Sequence, residues 1–405
     1  MRKLVDQAKP VQGAWTVLAF MFTIGFFMFG LLVFISPLLS YIKGDLGLTY
    51  AEFGLIFAVP LAILAALSLP SGLISDRFGP YRAVGIGATL MGLGTVLRGF
   101  SFDFTSLLGF SVLFGLGMGF TLANFPKLVR VCFPARLVGT ASGVWGAGSS
   151  AGMGLTLAVT LTVMMPLLGS WRTVSHFWGY LDLAVAAGWL LIVRRYPAIH
   201  SLQRRESHKL GGLRRRVLKD RCIWFATVLL FVENFTFYAL TGFLPTYAVA
   251  RDISPTIGSF MTSAYVVSGI PAIALVPMIS DRLRRRKPFF IYSTVSASFA
   301  FFFFIAASET QLWTLMAILG VAANVLYILA LTVPADVVET RILGFATGLI
   351  LSVGYSGGLL GPWIFGYIVD FTNSFALGFY LLTAVMLGGV AASLTLTETA
   401  RVRPR

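Results

Sequence analysis

About twelve stretches of roughly 20 apolar residues, most of them parted by only a few polar ones, leave this 405-residue chain little choice of solvent. Their cores run over 14–41, 51–75, 81–100, 104–126, 137–166 and 171–193, then 222–249, 255–280, 287–308, 310–334, 341–370 and 374–397. Each is long enough to cross a bilayer as a helix. Charged residues make up only 12% of the chain, against 57% hydrophobic ones that include 36 Phe, so a soluble core could not hide the apolar surface. The expectation is an all-α membrane protein. Short separators make neighbouring helices antiparallel. Arg2, Lys3 and Lys9 precede an apolar run from Trp15 to Ile42 that is too long for a cleaved signal core, which points to a retained first helix.

The polar loops carry a second pattern. Gly72-Leu-Ile-Ser-Asp-Arg-Phe-Gly-Pro-Tyr-Arg82 has a counterpart in Pro277-Met-Ile-Ser-Asp-Arg-Leu-Arg-Arg-Arg-Lys287, with Asp76 and Asp281 at an offset of 205. The same offset carries Arg136, Gly139, Ala141 and Gly143 onto Arg341, Gly344, Ala346 and Gly348. Two matches in one register imply a duplicated unit. The chain divides accordingly into a six-helix bundle at 1–193, a basic linker at 194–221 and a second six-helix bundle at 222–405. The linker bases, the termini and the two matched loops fall in alternate connections, which places them and both chain ends in the cytoplasm. An even number of spans per half makes the halves parallel repeats, a pair of pseudo-symmetric bundles. The net charge of +15 is explained by this topology better than by nucleic acid, although a lipid- or nucleic-acid-binding patch in the linker is the alternative. Cys132 and Cys222 end apolar segments on the cytoplasmic side and are expected as free thiols.

Two six-helix halves with matching loops resemble the major facilitator superfamily. Gly72, Asp76, Arg77, Gly79 and Arg82 match its loop signature G-x-x-x-D-R-x-G-R-R, with Pro80 and Tyr81 as departures; the second copy has Pro277 for the first glycine and lacks the later one. The resemblance implies that Asp76 and Arg77 latch the halves on the cytoplasmic face, with Asp281, Arg282, Arg136 and Arg341 in the same gate. A solvated, topology-setting turn is the plainer reading, above all for Arg82. A narrower likeness runs through Leu97-Arg98, Gly115-Leu-Gly-Met-Gly119, Asn124-Phe-Pro126-Lys127 and Phe133-Pro134, which are similar to the cyanate and nitroimidazole permease branch. It implies a small organic anion or similar polar solute. The Asn of the nitrate branch and the Gly-Pro pair of the drug-antiporter branch are both missing from the fifth segment.

Depth sorts the remaining charges. Glu233 lies eleven residues beyond Cys222, and Asp182 eleven beyond Trp171, so each sits roughly 17 Å into the membrane. Ionisable groups there are functional candidates, and reversible proton binding suits a carboxyl group. Because the first, fourth, seventh and tenth helices line the cavity in the resembled family, Glu233 is favoured over Asp182; a structural hydrogen bond is the alternative for both. Arg98 reaches toward the outer surface, as an anion recruiter or a snorkelling anchor. Asn124 and Lys127 end the fourth segment, where Lys127 either binds an anion or marks the interface. Asn234, Tyr238, Asn324, Tyr327 and Tyr355 offer polar groups to a solute or bonds between helices. Glycine-rich runs at Gly143–Gly154 and Gly354–Gly361 are expected to form sliding surfaces between the halves.

Other classes fit poorly. The chain has no Cys/His metal cluster, no nucleotide loop and no constellation around His176, His200 and His208, so neither enzyme, metal nor cofactor is expected. A channel is disfavoured by intramembrane carboxyls and glycine seams, and no segment is long enough for an ATP-binding domain. The expectation is a monomeric secondary transporter of the plasma (inner) membrane, moving a small polar or anionic solute by alternating access with protons as the coupling ion, without nucleic acid. A proton-driven exporter of hydrophobic drugs is the runner-up, and a non-transporting receptor a third class.

Overall fold

In the computed structural model, residues 10–195, 217–339 and 342–399 are described. The helices follow the apolar runs. In chain order they are α1 (Ala14–Val33), α2 (Leu39–Leu46), α3 (Tyr50–Phe78), α4 (Pro80–Arg98), α5 (Phe104–Leu122), α6 (Phe125–Cys132), α7 (Ala135–Val159), α8 (Met165–Leu168) and α9 (Trp171–Arg195). Then come α10 (Arg221–Ala250), α11 (Pro255–Ser268), α12 (Ile270–Leu283), α13 (Lys287–Phe303), α14 (Glu309–Val337), α15 (Leu343–Thr372) and α16 (Ala376–Thr395). Among the described residues nine of these runs are long and apolar enough to cross a membrane. The other three expected segments are also helices: α4, with Arg82 and Arg98 near its ends, α9, and α13, which has 17 residues. The linker lies largely outside the described residues, and Cys132 and Cys222 are free thiols.

Breaks inside the spans have local causes. The first span parts into α1 and α2 at Pro37, the fourth into α5 and α6 at Pro126, and the eighth into α11 and α12 at Pro271, each a residue with no backbone N–H to give. A π-turn at Thr160–Met164 precedes Pro166 in the fifth. Helix starts are capped by side chains. Asp103 and Ser106 form a capping box on α5, Ser308 and Gln311 another on α14, and Asp220 accepts from the N–H groups of Cys222 and Ile223 on α10.

The chain forms two compact units, Met1–Leu38 with Ala66–Ser207, and Leu39–Ala65 with His208–Arg405; the boundary at Ala65 and Ala66 falls inside α3. Within the first unit α1 packs along α7, and α4 along α5 and α9. The second repeats those pairings: α10 along α15, and α13 along α14 and α16. The repetition extends to single residues. A Cβ at Gly152 would collide with the backbone of Phe26, and one at Gly357 with the backbone of Phe231, a contact displaced by 205 on both sides. Gly30 meets Thr156 in the first unit; in the second the small residue has changed helices, and Gly361 meets Phe235. The glycines of the fifth and eleventh segments were expected to form surfaces between halves. Gly148, Gly152, Gly357 and Gly361 instead seam helices within one unit, because only a missing side chain lets two backbones approach this closely.

The first half of α3 is fastened to α15. The Asp370 carboxylate accepts from the N–H groups of Tyr50 (2.9 Å) and Ala51 (2.6 Å), the orphan donors of the helix start. Gly366 lies against the Tyr50 backbone, Gly54 against Pro362, and the Lys43 ammonium stands 3.3 Å over the Tyr50 ring. Replacing Asp370 by Ala strands two N–H groups and is expected to lower stability by about 1–2 kcal/mol, with Asp370→Asn intermediate. Thermal unfolding in detergent measures this, and unchanged melting of Asp370→Ala would show the cap to be idle.

Candidate substrate and proton site

The second unit buries a carboxyl group among phenols. Glu233 sits in mid-α10, only 4% exposed, and its Oε2 has no hydrogen-bond partner among the described residues. Four hydroxyls from four helices lie within electrostatic reach of it: Tyr238 on α10 itself, Tyr265 on α11, Tyr327 on α14 and Tyr355 on α15. The Tyr327 and Tyr355 hydroxyls are 3.4 Å apart. Two of the rings pack on phenylalanines, Tyr265 on Phe237 with centroids 5.1 Å apart and Tyr238 on Phe57 at 6.5 Å. Tyr238, Tyr265 and Tyr355 are buried and Tyr327 half-buried. Nearby, Asn234 donates to the Leu230 carbonyl (2.8 Å) and Asn324 to that of Gly320 (2.9 Å), each bonding back along its own helix. Asn324 also packs against Gly269, so its amide holds α14 to the α11–α12 break.

The first unit keeps its buried charges apart. Arg98 is wholly buried, with Nε donating to the Ser111 hydroxyl and Nη1 to the Leu31 carbonyl, both at 3.1 Å, and its plane 4.4 Å from the Phe114 ring centre. The sequence places Arg98 toward the outer surface; in the structure it ties α4 to α1 and α5 from inside. Asp182 is wholly buried on α9, and neither carboxyl oxygen has a hydrogen-bond partner among the described residues. It shares a face with Trp178 and Trp189, whose rings meet Phe27 and Phe20 of α1. Among the described residues no ion pair reaches Arg98, Asp182 or Glu233. At the α5–α6 break, Asn124 donates to the Ser71 hydroxyl (3.2 Å) and the Phe120 carbonyl (2.7 Å), and Lys127 to the Ser75 hydroxyl (2.9 Å), so both bind the last turns of α3.

The loop signature is only partly in view. Gly79 caps α4 at φ 95°, a conformation that L side chains rarely adopt, while Arg82 is exposed. Gly72 lies in α3; the side chains of Asp76, Arg77 and Arg136, and the whole of Arg341, lie outside the described residues. In the second copy Asp281 and Arg282 are exposed, and the base that meets Asp281 is Arg286, through Nη2 at 2.9 Å. Arg286 also donates through Nε and Nη2 to both oxygens of Asp336, and through Nη1 to the Ser280 hydroxyl. Burial alone lowers the Arg286 pKa, but the carboxylates of Asp336 and Asp281 outweigh it and hold the guanidinium above its ordinary value. Glu398 completes the corner by accepting from the backbone N–H groups of Arg286 (2.7 Å) and Lys287 (3.3 Å).

Sequence reasoning missed Tyr265, Arg286, Asp336 and Glu398. The repeat holds a signal for the first. At the offset of 205, Glu233, Tyr238, Tyr265, Tyr327 and Tyr355 stand where the first half has Met28, Val33, Pro60, Leu122 and Ser150. Where two copies of one fold diverge from apolar or small residues to acid and phenol, packing does not require the change.

The family model for the Major Facilitator Superfamily matches residues 17–258 and 248–405. A probable sulfoacetate transporter of Cupriavidus necator is 24% identical over 84% of this chain and 82% of its own length. The cyanate transport protein of Escherichia coli is 22% identical over 82% and 85%. The crystal structure of a bacterial homologue of the human lysosomal transporter Spinster, inward-facing and occupied, has the same fold at a TM-score of 0.73, with 16% identity and 96% of both chains covered.

The Arg286–Asp336 pair is the part of this region whose energetics can be isolated. Asp336→Ala leaves a buried guanidinium short of its main partner and is expected to cost roughly 3 kcal/mol of stability, whereas the apolar double replacement Arg286→Met with Asp336→Leu recovers most of it. A double-mutant cycle read by thermal unfolding decides the matter, and additive losses would show the two side chains to be uncoupled.

Proposed function

Because the chain belongs to the Major Facilitator Superfamily, we propose that it is a proton-coupled secondary transporter of a small organic anion, with Glu233 as the group that carries the proton. Transport rather than enzyme chemistry follows from the family. The anion is supported by the relatives, whose names give sulfoacetate and cyanate, two small anions of different skeleton. The observation that carries the coupling is the Glu233 carboxyl itself: buried at mid-span, lacking a partner at Oε2 among the described residues, and within electrostatic reach of four hydroxyls.

The parts follow from their placement. Tyr238, Tyr327 and Tyr355 are the substrate-facing groups of the second unit, with Asn234 and Asn324 setting the helices that carry them. Asp182 is a second proton candidate, but among the described residues no hydroxyl lies at hydrogen-bond distance from it. Arg98, Asn124 and Lys127 act by holding α1, α3, α4 and α5 in register, not as anion ligands. The loops around Asp76, Arg77, Arg82 and Arg136, and around Asp281, Arg282 and Arg341, form the cytoplasmic gate, with Gly72 and Gly79 shaping the first. Arg286 and Asp336 anchor the second, and a few such charge-assisted bonds are enough to bias a two-state rocking equilibrium. Both termini are cytoplasmic in this reading, and the membrane is the plasma (inner) membrane.

Uptake into proteoliposomes under an imposed pH gradient tests the proposal with labelled sulfoacetate, cyanate and a lipophilic cation. The two anions are expected to accumulate on the alkaline side, and the cation not to. Glu233→Gln is expected to lower gradient-driven accumulation at least about tenfold, because the side chain can no longer exchange a proton. Full gradient-driven accumulation by Glu233→Gln removes that residue from the coupling.

A further inference from the structure

We infer that the hydroxyls of Tyr238, Tyr265, Tyr327 and Tyr355 form an oxyanion receptor built from neutral donors, which accepts the acidic head of the substrate only while Glu233 holds a proton. The proton therefore rides on the protein and not on the solute, so that strong organic acids such as sulfonates are taken as readily as carboxylates. This rests on the reading of Glu233 as the proton carrier and adds what the site recognises, how coupling is enforced, and a role for Tyr265.

Geometry separates an anion receptor from a cation cage. A cage for an ammonium group presents ring faces to its guest. Here the rings of Tyr265 and Tyr238 pack against those of Phe237 and Phe57, while all four hydroxyls lie within electrostatic reach of one carboxyl group and those of Tyr327 and Tyr355 lie 3.4 Å apart. Phenol O–H groups are strong donors to oxyanions and bring no charge of their own.

Among the described residues, the groups that the structure brings near Glu233 and its helix neighbours are neutral. On its own helix they are Asn234 and Tyr238; α11 brings Tyr265, α14 Tyr327 and α15 Tyr355. From α16, Gly389 packs on neighbouring Val232, and α3 presents Phe57 and Leu61 to Tyr238 and Gly358. With no cation in this shell, an anion and a carboxylate in the same site would be two unscreened negative charges, and their repulsion excludes the pair. Binding is balanced when the carboxylate takes one proton from the same side as the anion, and release returns both on the other side. One proton accompanies each anion, and a monoanion crosses without net charge.

Tyr327, half-buried, is the open edge of the cluster, and Tyr265 is its far wall. Tyr265 is a specificity residue in this scheme: it supplies a donor that a hydrophobic solute has no use for. Its ring, held on Phe237, is retained in Tyr265→Phe, which removes the hydroxyl alone.

The test is protection of the purified protein against thermal unfolding by propionate and by ethanesulfonate, which share an ethyl tail but lie far apart in acid strength, from pH 5 to pH 8. Both are expected to protect, with one shared midpoint and loss of protection toward alkaline pH. Glu233→Gln is expected to bind both at every pH, since its site is permanently uncharged. Tyr265→Phe is expected to need at least about tenfold more of either anion at an unchanged midpoint. The inference is overturned by midpoints that differ between the two acids, by loss of binding in Glu233→Gln, by failure of both anions to protect, or by protection from propyltrimethylammonium in their place. Gradient-driven anion uptake together with any of those results leaves the transporter reading standing and removes only the receptor. Binding as expected without gradient-driven uptake does the reverse.

Discussion

Close approach of backbones is the contact on which both units rest. In lipid the apolar surface of a helix gains little by meeting another, because hydrocarbon tails solvate it as well as a neighbouring helix would. What remains is dispersion at short range, and that requires side chains to be absent where helices cross. Gly152 on Phe26 and Gly357 on Phe231 are that crossing made twice, at the same register in each copy. Around it, α1 with α7 and α10 with α15 form the spine of their units, and beside it α4 packs along α5 and α9 as α13 does along α14 and α16. The exchange of Gly30 and Thr156 for Phe235 and Gly361 shows what the crossing demands: one small residue per contact, on either helix.

With the packing met by small residues, buried polar groups fall into two kinds. Arg286 and Asp336 are of the first, where charge is matched by charge and the remaining donors reach Ser280 and Asp281. Arg98 belongs beside them in effect, since a serine hydroxyl, a carbonyl and an aromatic face hold its guanidinium between three helices. Such groups fix geometry. Asp182 and Glu233 are of the second kind: no described residue satisfies either oxygen of Asp182 or the Oε2 of Glu233. A group left in this condition is costly in a low-dielectric interior, and it persists where a proton or a solute supplies the missing partner for part of a cycle.

Much of this was legible in the sequence, and for identifiable reasons. Spans could be read because the bilayer fixes their length and the proline breaks only bend them. The duplication could be read from two loops because loops at helix ends keep their charges in register. Asp76 and Asp281 announced the repeat, yet the base that meets Asp281 is Arg286, five residues further on, across a turn whose φ of 52° at Arg284 no spacing rule reveals. Depth along a helix says nothing of which way a side chain turns, and α4 turns Arg98 inward. The glycines of α7 and α15 were assigned to the wrong neighbour for the same reason: periodicity shows that a face is small, but not what lies against it. Tyr265 is not legible because a lone tyrosine in an apolar run looks the same whether it faces lipid or a buried carboxyl group.

The contrast between Asp182 and Glu233 shows how surroundings divide two residues that sequence made near equals. Both lie at mid-span and both are buried. Asp182 shares its face with Trp178 and Trp189, whose rings reach α1 through Phe27 and Phe20, so its neighbours along that face are apolar rings. Glu233 has phenols on three other helices and on its own, all within electrostatic reach of it. A carboxyl group among tryptophans can only hold or lose a proton. The same group among hydroxyls can trade that proton against the charge of a second molecule, and that exchange is what coupling requires.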